Sequence, residues 1–245
     1  KKHVYICEDN PFDAVKTNVI GTSNIIESSI SAEVSKFILI STDKATLPST
    51  TLGASKLLAE RLTINANSYD NFNKTIFASV RFGNVIGSRG SVYQIFLDQI
   101  RKNQALTVTD PRMTRFIMSI QDAAGFILKA TNVANGGEIF ILKMPSVKIE
   151  DLAKSMYEVC KISDKKSNNK IKVSKLRDHE RFHEYLVTPE EIPFCHDLGD
   201  MYKISTEKSK KKLAKEEFSS DSANKITKNK LKEVITELRE EYLPF

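Results

Sequence analysis

Two hydroxyls, a carboxylate and an amine follow one another along Ser41–Lys44, a set of side chains that can hydrogen-bond to a ligand and carry charge. They come directly after the apolar, β-branched run Phe37–Ile40, which predicts a strand buried on both faces. The carboxyl end of such a strand is where open α/β sheets bind their ligands. By itself the segment is more typical of a solvated polar turn, so a turn and a ligand site are both open at this point.

The elements around this segment predict a parallel sheet. A helix start signal at Asp9–Pro11 is followed by apolar residues at helical spacing as far as Ile30. A second helix is predicted from about Leu52 to Ser68, and a second strand over Thr75–Arg81 with polar residues after it. Helices that alternate with strands favour parallel strands and right-handed crossovers. The ends of both strands are therefore expected at one edge of the sheet.

The remainder of the chain continues this alternation. A lysine- and serine-rich stretch from Glu207 precedes the last helix. His179 and His183 have the spacing of one helix face, but no third ligand accompanies them, so no metal site is predicted. The predicted elements are loops at Gly87–Ser91 and 161–170, helices at Val92–Lys102, Ile120–Asn132, Ile149–Cys160 and around Ile226–Leu238, and strands at Leu106–Asp110, Glu138–Leu142 and Ile171–Val173.

The composition is that of a globular protein, with 40% hydrophobic and 28% charged residues. Much of the +6 net charge lies in lysine runs without interleaved aromatic residues, so nucleic-acid binding is not predicted. No apolar run has the length that a membrane span needs. The three cysteines form no CxxC or metal-binding pattern, which predicts a reducing, cytoplasmic compartment.

Several motifs occur in a fixed order along the chain: STDKA, GASK, RFGNVIGSRGSV, TDPRMTRF and GGEIFILKMPSVKIEDLA. Together they resemble the extended short-chain dehydrogenases/reductases of capsular and flagellar sugar biosynthesis. This group comprises the CapD/CapE-like UDP-N-acetylglucosamine 4,6-dehydratases and their UDP-sugar 4-epimerase relatives. The resemblance covers nearly the whole chain, as far as the FSSD segment at 218–221.

The resemblance implies an α/β fold, in which a truncated Rossmann-type doubly wound parallel sheet is joined to a smaller α/β substrate-binding domain. Residues 1–86 are then the C-terminal part of the NAD(P)-binding domain. Residues 87–206 are the nucleotide-sugar domain, with some elements returning to the Rossmann domain, and 207–245 are a basic linker and the C-terminal helix. The family's glycine-rich phosphate loop has no counterpart in this sequence. We expect it before Lys1, so the chain alone is predicted to be inactive.

The implied reaction starts with removal of a hydride from the sugar C4 by NAD(P). The C5 proton and the C6 hydroxyl then leave as water, and the hydride returns to C6. This chemistry needs an acid and a base on a rigid edge beside the nicotinamide. By resemblance, Asp43 is the acid that protonates the leaving hydroxyl, Lys44 is the base at C5, and Thr42 hydrogen-bonds the C4 oxygen.

Three further residues match cofactor-site positions of the family. Lys56 matches the lysine of the Y-x-x-x-K motif that holds the nicotinamide ribose. Ser41, at the end of the first predicted strand, is expected in the same cofactor site. Asn18 matches the family's helix asparagine near the site. The alternative is that it is a polar residue on the side of the helix whose hydrogen bonds are made with the backbone. The tyrosine of the motif falls at Leu52, which cannot deprotonate the C4 hydroxyl. The C4 base is open, with Lys44 or Lys56 acting through a water as candidates.

The resemblance also implies a set of residues that bind the nucleotide-sugar. The asparagine after the second strand contacts the UDP phosphate or the sugar, two threonines read the uracil, and two arginines bind the diphosphate because guanidinium groups match phosphate geometry. A surface salt bridge is the alternative for each arginine, and the better one for Arg89. The matched positions are Asn84, Ser88, Arg89, Ser91, Thr107, Thr109, Arg115, Arg177 and Glu180.

We therefore predict a lyase, an NAD(P)-dependent nucleotide-sugar 4,6-dehydratase that acts on UDP-N-acetylglucosamine for capsule or other surface polysaccharides, with or without 5-epimerase activity. A UDP-sugar 4-epimerase and an inactive nucleotide-sugar-binding fragment are the alternatives. The expected partners are a UDP-sugar and further copies of the chain in a homo-oligomer.

Overall fold

The computed structural model describes residues 1–69, 74–160, 171–175, 180–209 and 218–242. Its α-helices are α1 (Val4–Asp9), α2 (Pro11–Ala14), α3 (Gly21–Ser31), α4 (Thr51–Ala66), α5 (Val92–Arg101), α6 (Ile120–Val133), α7 (Ile149–Cys160) and α8 (Lys228–Tyr242). Its strands are β1 (Lys36–Ile40), β2 (Ile76–Arg81), β3 (Asn84–Val85), β4 (Leu106–Val108), β5 (Thr114–Met118), β6 (Ile139–Leu142), β7 (Ser146–Lys148), β8 (Ile171–Val173), β9 (Tyr185–Val187), β10 (Cys195–Asp197), β11 (Met201–Ile204) and β12 (Phe218–Ser219).

The first of two compact units contains residues 1–83, 123–143 and 185–219. Its sheet has the strand order β1-β2-β6-β11-β10. As predicted, β1, β2 and β6 are parallel. However, β11 and β10 are antiparallel to their neighbours, so the sheet is mixed at this end. A short turn with Gly199 in the left-handed region (φ 93°) joins β10 to β11, and two strands joined by such a turn are antiparallel to each other.

Strands β1 and β2 end at the same level of the sheet, because Ile40 pairs with Val80. The two strand ends therefore share one edge, as the sequence predicted. The expectation that β1 is buried on both faces is wrong, since Ile40 is 48% exposed although Leu39 is buried. Within the described residues β2 is the strand that pairs with β1, so β1 lies at the edge of this sheet. Strand β2 has neighbours on both sides, and Phe77–Arg81 are all buried.

The helices of the first unit agree with the periodicity of the sequence. The predicted helix after Asn10 is continuous through α2, a π-helical turn at Val15–Ile20, and α3. Helix α4 was predicted, whereas the short helix α1 was not. Apolar side chains of α3 and α4 pack on the sheet, where Ile26, Ala66 and Phe77 form one cluster.

The second unit contains residues 84–122, 144–184 and 220–245. It has a three-stranded sheet of order β3-β5-β7 and a parallel pair formed by β4 and β8. Helices α5, α7 and α8 supply its core, which includes Phe96, Leu152, Met156, Leu231 and Ile235. The predicted C-terminal helix is thus an integral part of this unit, because Leu231 and Ile235 are almost fully buried.

The chain passes several times between the two units, and residues 123–143 and 185–219 belong to the first. The domain boundaries 1–86, 87–206 and 207–245, with some elements returning to the first domain, stay a prediction. Strand β6 and the hairpin β10–β11 complete the first sheet, which draws later residues into the first unit. The predicted loop at 161–170 and most of the predicted basic linker (210–217) lie outside the described residues.

Candidate active site

Residues Ser41–Lys44 follow β1 and stay paired with the backbone after β2. The Ser41 amide donates to the carbonyl of Val80 (2.8 Å), and the Asp43 amide donates to that of Phe82 (3.1 Å). Backbone pairing therefore continues past the end of both strands and fixes these residues against the sheet. We call Ser41–Lys44 the strand-end site.

The carboxylate of Asp43 is the central group of the strand-end site and has no solvent exposure. Its Oδ1 accepts hydrogen bonds from Thr42 Oγ1 and Lys44 Nζ, each at 2.9 Å. Its Oδ2 and the Oγ of Ser41 are also buried, and neither has a hydrogen-bond partner among the described residues. Unpaired buried polar atoms cost free energy, so two of them in one turn are typical of a place where a bound molecule supplies the partner.

The adjacent amine of Lys44 offsets the cost of burying the Asp43 charge. Lys44 keeps 23% of its side chain exposed, while that of Asp43 is fully enclosed. A buried carboxylate is tolerated when an opposite charge and hydrogen bonds satisfy it. The hydroxyl of Thr42, the carboxylate and the ammonium form one hydrogen-bonded chain. Such a chain can exchange protons among its members and serve as both acid and base.

Helix α4 begins directly against the strand-end site. Its N-cap is Thr50, whose Oγ1 accepts from the amide of Gly53 (3.0 Å). A Cβ on Gly53 would lie 2.3 Å from the carbonyl oxygen of Lys44. Only glycine allows the helix to approach this closely, which gives the glycine of the GASK motif a structural reason that the sequence analysis missed.

Lys56 lies on α4 and points its amine at the end of β1. Its Nζ donates to the carbonyl of Ile40 (3.1 Å), and burial lowers the pKa of this ammonium below the ordinary lysine value. Asn18 lies on the π-helical turn and is buried. Its Nδ2 donates to Ser55 Oγ (3.0 Å), so it contacts a side chain of α4. The cofactor roles of Lys56, Asn18 and Ser41 stay predictions.

Leu52, at the position of the family's tyrosine, is a core residue in this structure. It is 2% exposed and packs with Cys7 and Ala14 of the preceding helices. The leucine thus fills an apolar space beneath α1 and α2, and it offers no polar atom to a substrate.

Asn84 and the loop after it are the first predicted substrate-binding residues of the second unit. Asn84 pairs with Ile117 in the sheet and is exposed. Gly87 lies in the left-handed region (φ 76°), which bends the chain toward α5. The amide of Ser91, the N-cap of α5, donates to the carbonyl of Ser88 (2.9 Å).

Two side chains of this loop differ in their surroundings. The Oγ of Ser91 is buried and has no partner within the described ranges, although it stands before the free amides of the first turn of α5. The side chain of Arg89 is exposed, in agreement with a surface role. Ser91 is therefore the better candidate for a contact with an anion.

The two threonines matched to uracil recognition make different contacts. Thr107 is exposed, and its hydroxyl accepts from Gln99 Nε2 at 2.7 Å. Thr109 lies beyond the end of β4 and donates from Oγ1 to Glu180 Oε1 (3.2 Å). The other oxygen of Glu180, Oε2, is buried and has no partner in the part of the chain that the structure describes. Glu180 therefore retains an acceptor for a ligand.

The guanidinium of Arg115 contacts the backbone of the segment after Glu180. Its Nη1 donates to the carbonyls of Thr114 (2.7 Å) and Phe182 (3.1 Å), and its Nη2 donates to that of Arg181 (2.9 Å). The carboxylates of Glu180 and Glu184 lie 3.8 Å away. The diphosphate role of Arg115 stays a prediction, and in this structure its donors hold the 181–182 backbone.

A buried polar network fixes the same segment from the other side. Thr114 Oγ1 shares hydrogen bonds with His183 Nδ1 (2.8 Å) and Ser220 Oγ (2.7 Å), and the amide of Glu184 donates to Ser220 Oγ (2.9 Å). Residues 180–184 are not helical, so the shared helix face predicted for the histidines is wrong for His183. The reason is that this segment is held by side-chain contacts and runs into β9. His179 and Arg177 lie outside the described residues.

Four structural residues of the site were not identified from the sequence: Gly53, Thr114, Ser220, and Glu8, whose carboxylate accepts hydrogen bonds from the amide and hydroxyl of Thr51. The glycine of GASK belongs to a motif that the sequence analysis used, but its close contact with the Lys44 carbonyl cannot be predicted from the motif. The other three contact residues far along the chain, and spacing alone cannot predict such pairs.

Within the described ranges there is no group of three or more metal-binding side chains, and none of the helices combines the length and apolar character that crossing a bilayer requires. All three cysteines, Cys7, Cys160 and Cys195, are buried and free.

Several known proteins are similar to this chain in sequence. The family of polysaccharide biosynthesis proteins matches residues 1–206. An uncharacterized membrane protein of Methanocaldococcus jannaschii is 48% identical over 97% of this chain and 72% of its own length. A UDP-glucose 4-epimerase of Rickettsia bellii is 36% identical with the same coverage. The capsular polysaccharide biosynthesis protein CapD of Staphylococcus aureus is 46% identical over 78% of this chain but only 31% of its own length.

Among solved structures, Pen from Bacillus thuringiensis has a similar fold, with a TM-score of 0.90 and 40% identity over 98% of this chain and 73% of that protein.

Proposed function

Because the chain belongs to the polysaccharide biosynthesis protein family, within the extended short-chain dehydrogenases/reductases, we propose that it acts as a nucleotide-sugar 4,6-dehydratase on UDP-N-acetylglucosamine. The strand-end site carries the proposal. Dehydration across C5 and C6 needs an acid and a base side by side. Lys44 Nζ lies 2.9 Å from Asp43 Oδ1. Asp43 also keeps one buried oxygen unpaired.

The residues beside this pair fit NAD(P). The unpaired Ser41 Oγ and Asp43 Oδ2 offer polar contacts at the end of β1. Lys56 uses one of the three donors of its ammonium on the Ile40 carbonyl, which leaves others for ribose hydroxyls. Bound NAD(P) would supply the hydride-transfer chemistry that the sugar C4 and C6 require.

The acid–base steps fall to the chain's own residues. Asp43 enters these steps with the proton that it has received from the C4 hydroxyl, and Lys44, whose side chain is 23% exposed, first gives its ammonium proton to solvent. Lys44 removes the proton from C5, Asp43 gives its proton to the C6 hydroxyl, and the C6–O bond breaks to release water. The ammonium of Lys44, whose protons exchange with solvent, then donates a proton to C5. The acid and the base of these steps are neighbouring groups that share a hydrogen bond.

The C4 hydroxyl also needs a base, and Leu52 cannot supply one because it is packed in an apolar cluster. Thr42 offers a route, because its hydroxyl already donates to Asp43 Oδ1 at 2.9 Å. A C4 hydroxyl that hydrogen-bonds to Thr42 can pass its proton through that hydroxyl to Asp43. This transfer supplies the proton that Asp43 then gives to the leaving water. Lys44 regains a proton from solvent at the end, so the protons balance over one turnover.

The proposal assigns the nucleotide to residues of the second unit. Ser91 Oγ and the first amides of α5 are suited to a phosphate oxygen, together with Asn84 and Ser88. Thr109 and Glu180 are suited to hydroxyl or N–H groups of the uridine, since Glu180 Oε2 is an unpaired acceptor.

A UDP-sugar 4-epimerase is the second candidate, and the 36% identity to a protein of that name favours it. The burial of Leu52 weighs against an epimerase that relies on the tyrosine phenol. An epimerase also needs no acid–base pair for C5 and C6, so it leaves Asp43 and Lys44 without a role.

Product analysis distinguishes these functions. The full-length protein is incubated with NAD or NADP and UDP-N-acetylglucosamine, and the products are identified by NMR and mass spectrometry. A 4-keto-6-deoxy sugar, which has lost one water, is expected. Formation of UDP-N-acetylgalactosamine alone would support the epimerase, and binding without conversion would support an inactive nucleotide-sugar-binding protein.

We also propose that the protein is a homo-oligomer, because large apolar side chains are exposed on helices of the first unit. Phe12 is 92% exposed, and Ile25 and Leu58 are more than half exposed. Burial of such side chains between subunits stabilises association. Light scattering of the full-length protein should give a multiple of the monomer mass, and a monomer mass at micromolar concentration would contradict this.

A further inference from the structure

We propose that Glu8 is a positioning residue for the active site, because it fixes the first turn of α4 and thereby the backbone of Lys44 and the amine of Lys56. This inference rests on the dehydratase function proposed above. It concerns a residue that matches none of the family motifs considered in the sequence analysis.

The contacts of Glu8 are specific. Its Oε1 accepts from the amide of Thr51 (2.7 Å), and its Oε2 accepts from the hydroxyl of the same residue (3.1 Å). The first amides of a helix have no partners within the helix, and a carboxylate there is also favoured by the helix dipole. Thr50 satisfies the amide of Gly53. Glu8 and Thr50 together therefore fix the start of α4.

This turn of α4 touches the strand-end site directly. The Cα of Gly53 lies so close to the carbonyl of Lys44 that a Cβ would approach its oxygen to 2.3 Å. One turn further along, Lys56 donates to the carbonyl of Ile40, the last residue of β1. A small movement of the first turn therefore shifts both lysines relative to the strand end.

Glu8 is more than a local cap, because it joins α1 to α4 across a gap of 43 positions in sequence. Asn18 makes a second link to α4 through Ser55. With Glu8 removed, the first turn keeps the Thr50 cap and the apolar contact of Leu52 with Cys7, but it loses its hydrogen bonds to α1. We expect the helix to remain folded while its start moves relative to β1.

The experiment compares Glu8→Ala and Glu8→Gln in the full-length protein. Displacement of reacting groups by about 1 Å costs about 100-fold in rate, so we expect Glu8→Ala to lower kcat by roughly 10- to 100-fold, with the KM for the sugar nucleotide within about threefold. Glu8→Gln keeps the acceptor for the Thr51 amide and should recover most of the lost kcat.

A second readout does not depend on turnover. Burial lowers the pKa of Lys56, so its acylation by an amine reagent, followed by mass spectrometry, should have a midpoint below that of exposed lysines. In Glu8→Ala the looser turn admits water, and the midpoint should move up toward the ordinary lysine value. This measurement can be made without substrate.

The matched control is Asp122→Ala. Asp122 Oδ2 accepts from the amide (3.2 Å) and the hydroxyl (2.7 Å) of Ser119, the same pair of contacts near the start of α6. The Asp122→Ala variant should lower the melting temperature about as much as Glu8→Ala does. It should leave kcat and the pH midpoint of Lys56 acylation unchanged. Equal effects of both variants on kcat and on Lys56 would overturn the positioning role. If the wild-type protein makes no dehydrated product, the proposed function fails, and the Lys56 midpoint still tests Glu8.

Discussion

The strand-end site and the cluster around Arg115 both bring charged groups together, but they differ in what is left unpaired. At the strand end, Asp43 Oδ2 and Ser41 Oγ are buried without partners among the described residues. Around Arg115, the guanidinium donates to three backbone carbonyls and has two carboxylates nearby. The first arrangement keeps polar atoms available for a ligand, whereas the second uses them to hold a loop.

This difference teaches that residue type alone does not identify a functional charge. An arginine at a position matched to phosphate binding can instead use its hydrogen-bond donors on groups of the protein itself. A short Ser-Thr-Asp-Lys turn, which looks ordinary in sequence, can bury a carboxylate with one oxygen unsatisfied.

The largest effect is expected at the strand-end pair. Asp43→Asn removes the acid and Lys44→Ala removes the base, and general acid–base groups typically contribute 100- to 10,000-fold in rate, so each variant should lose about that factor in kcat. The measurement is turnover of UDP-N-acetylglucosamine, with UDP binding measured by calorimetry. UDP binding should be unchanged because the nucleotide is assigned to other residues.

The matched control for this pair is Asp197→Asn. Asp197 pairs with Lys143 at 2.5 Å on the exposed side of the same unit. Removing that pair should change kcat by less than about twofold, since surface ion pairs contribute little. Loss of turnover in the control, or normal turnover in Asp43→Asn, would remove the distinction between the two sites.

A smaller loss is expected for Gly53→Ala. The added methyl group would lie 2.3 Å from the Lys44 carbonyl, so the helix and the strand end must separate. Overpacking of this kind costs about 1–3 kcal/mol in unfolding free energy, and kcat should fall by about tenfold or more. Denaturant unfolding and steady-state kinetics measure both effects.

Gly125→Ala provides the comparison, because a Cβ at Gly125 would meet nothing within 4 Å. Alanine in a helix interior is more stable than glycine by about 0.5–1 kcal/mol. This variant should therefore be slightly more stable and fully active. If Gly53→Ala behaved in the same way, close packing of α4 on Lys44 would not be needed.

Arg115→Lys tests the loop-holding role in the second cluster. Lysine cannot reach several carbonyls in the geometry of the guanidinium fork, so unfolding free energy should fall by about 1–3 kcal/mol. The KM for the UDP-sugar should change by less than about threefold, and thermal unfolding with kinetics measures the two quantities. A large rise in KM without loss of stability would instead support the diphosphate role predicted from the sequence.

The smallest effect is expected for Ser91→Ala. Its Oγ has no partner in the described residues, so its removal should not reduce stability. If it binds a phosphate oxygen, one hydrogen bond of about 0.5–1.5 kcal/mol is lost, and the Kd for UDP should rise by about two- to tenfold. An unchanged Kd would exclude this contact.

Much of the first unit was predictable from local sequence. The apolar runs that became β1 and β2, and the spacing that became α4, depend on residues close together in the chain. The resemblance also singled out Asp43 and Lys44, whose pairing follows from their adjacency. Local patterns were sufficient wherever an interaction is formed by neighbours.

The remainder depended on contacts between distant residues. The antiparallel strands β10 and β11 join the parallel sheet through β6, which no periodicity specifies. Arg115 matches a phosphate ligand in sequence, but two of its three carbonyl partners lie more than 60 positions away. The tight approach of Gly53 to Lys44 and the link from Glu8 to Thr51 also depend on packing in three dimensions.

The most direct test of the strand-end site follows the C5 proton. The full-length protein is given UDP-N-acetylglucosamine in D2O, and the product is examined by NMR. An amine that takes the C5 proton exchanges it with solvent, so the account predicts a 4-keto-6-deoxy sugar with deuterium at C5, and no such product from Lys44→Ala. An epimerised sugar without deuterium at C5, or unchanged labelling in Lys44→Ala, would contradict it.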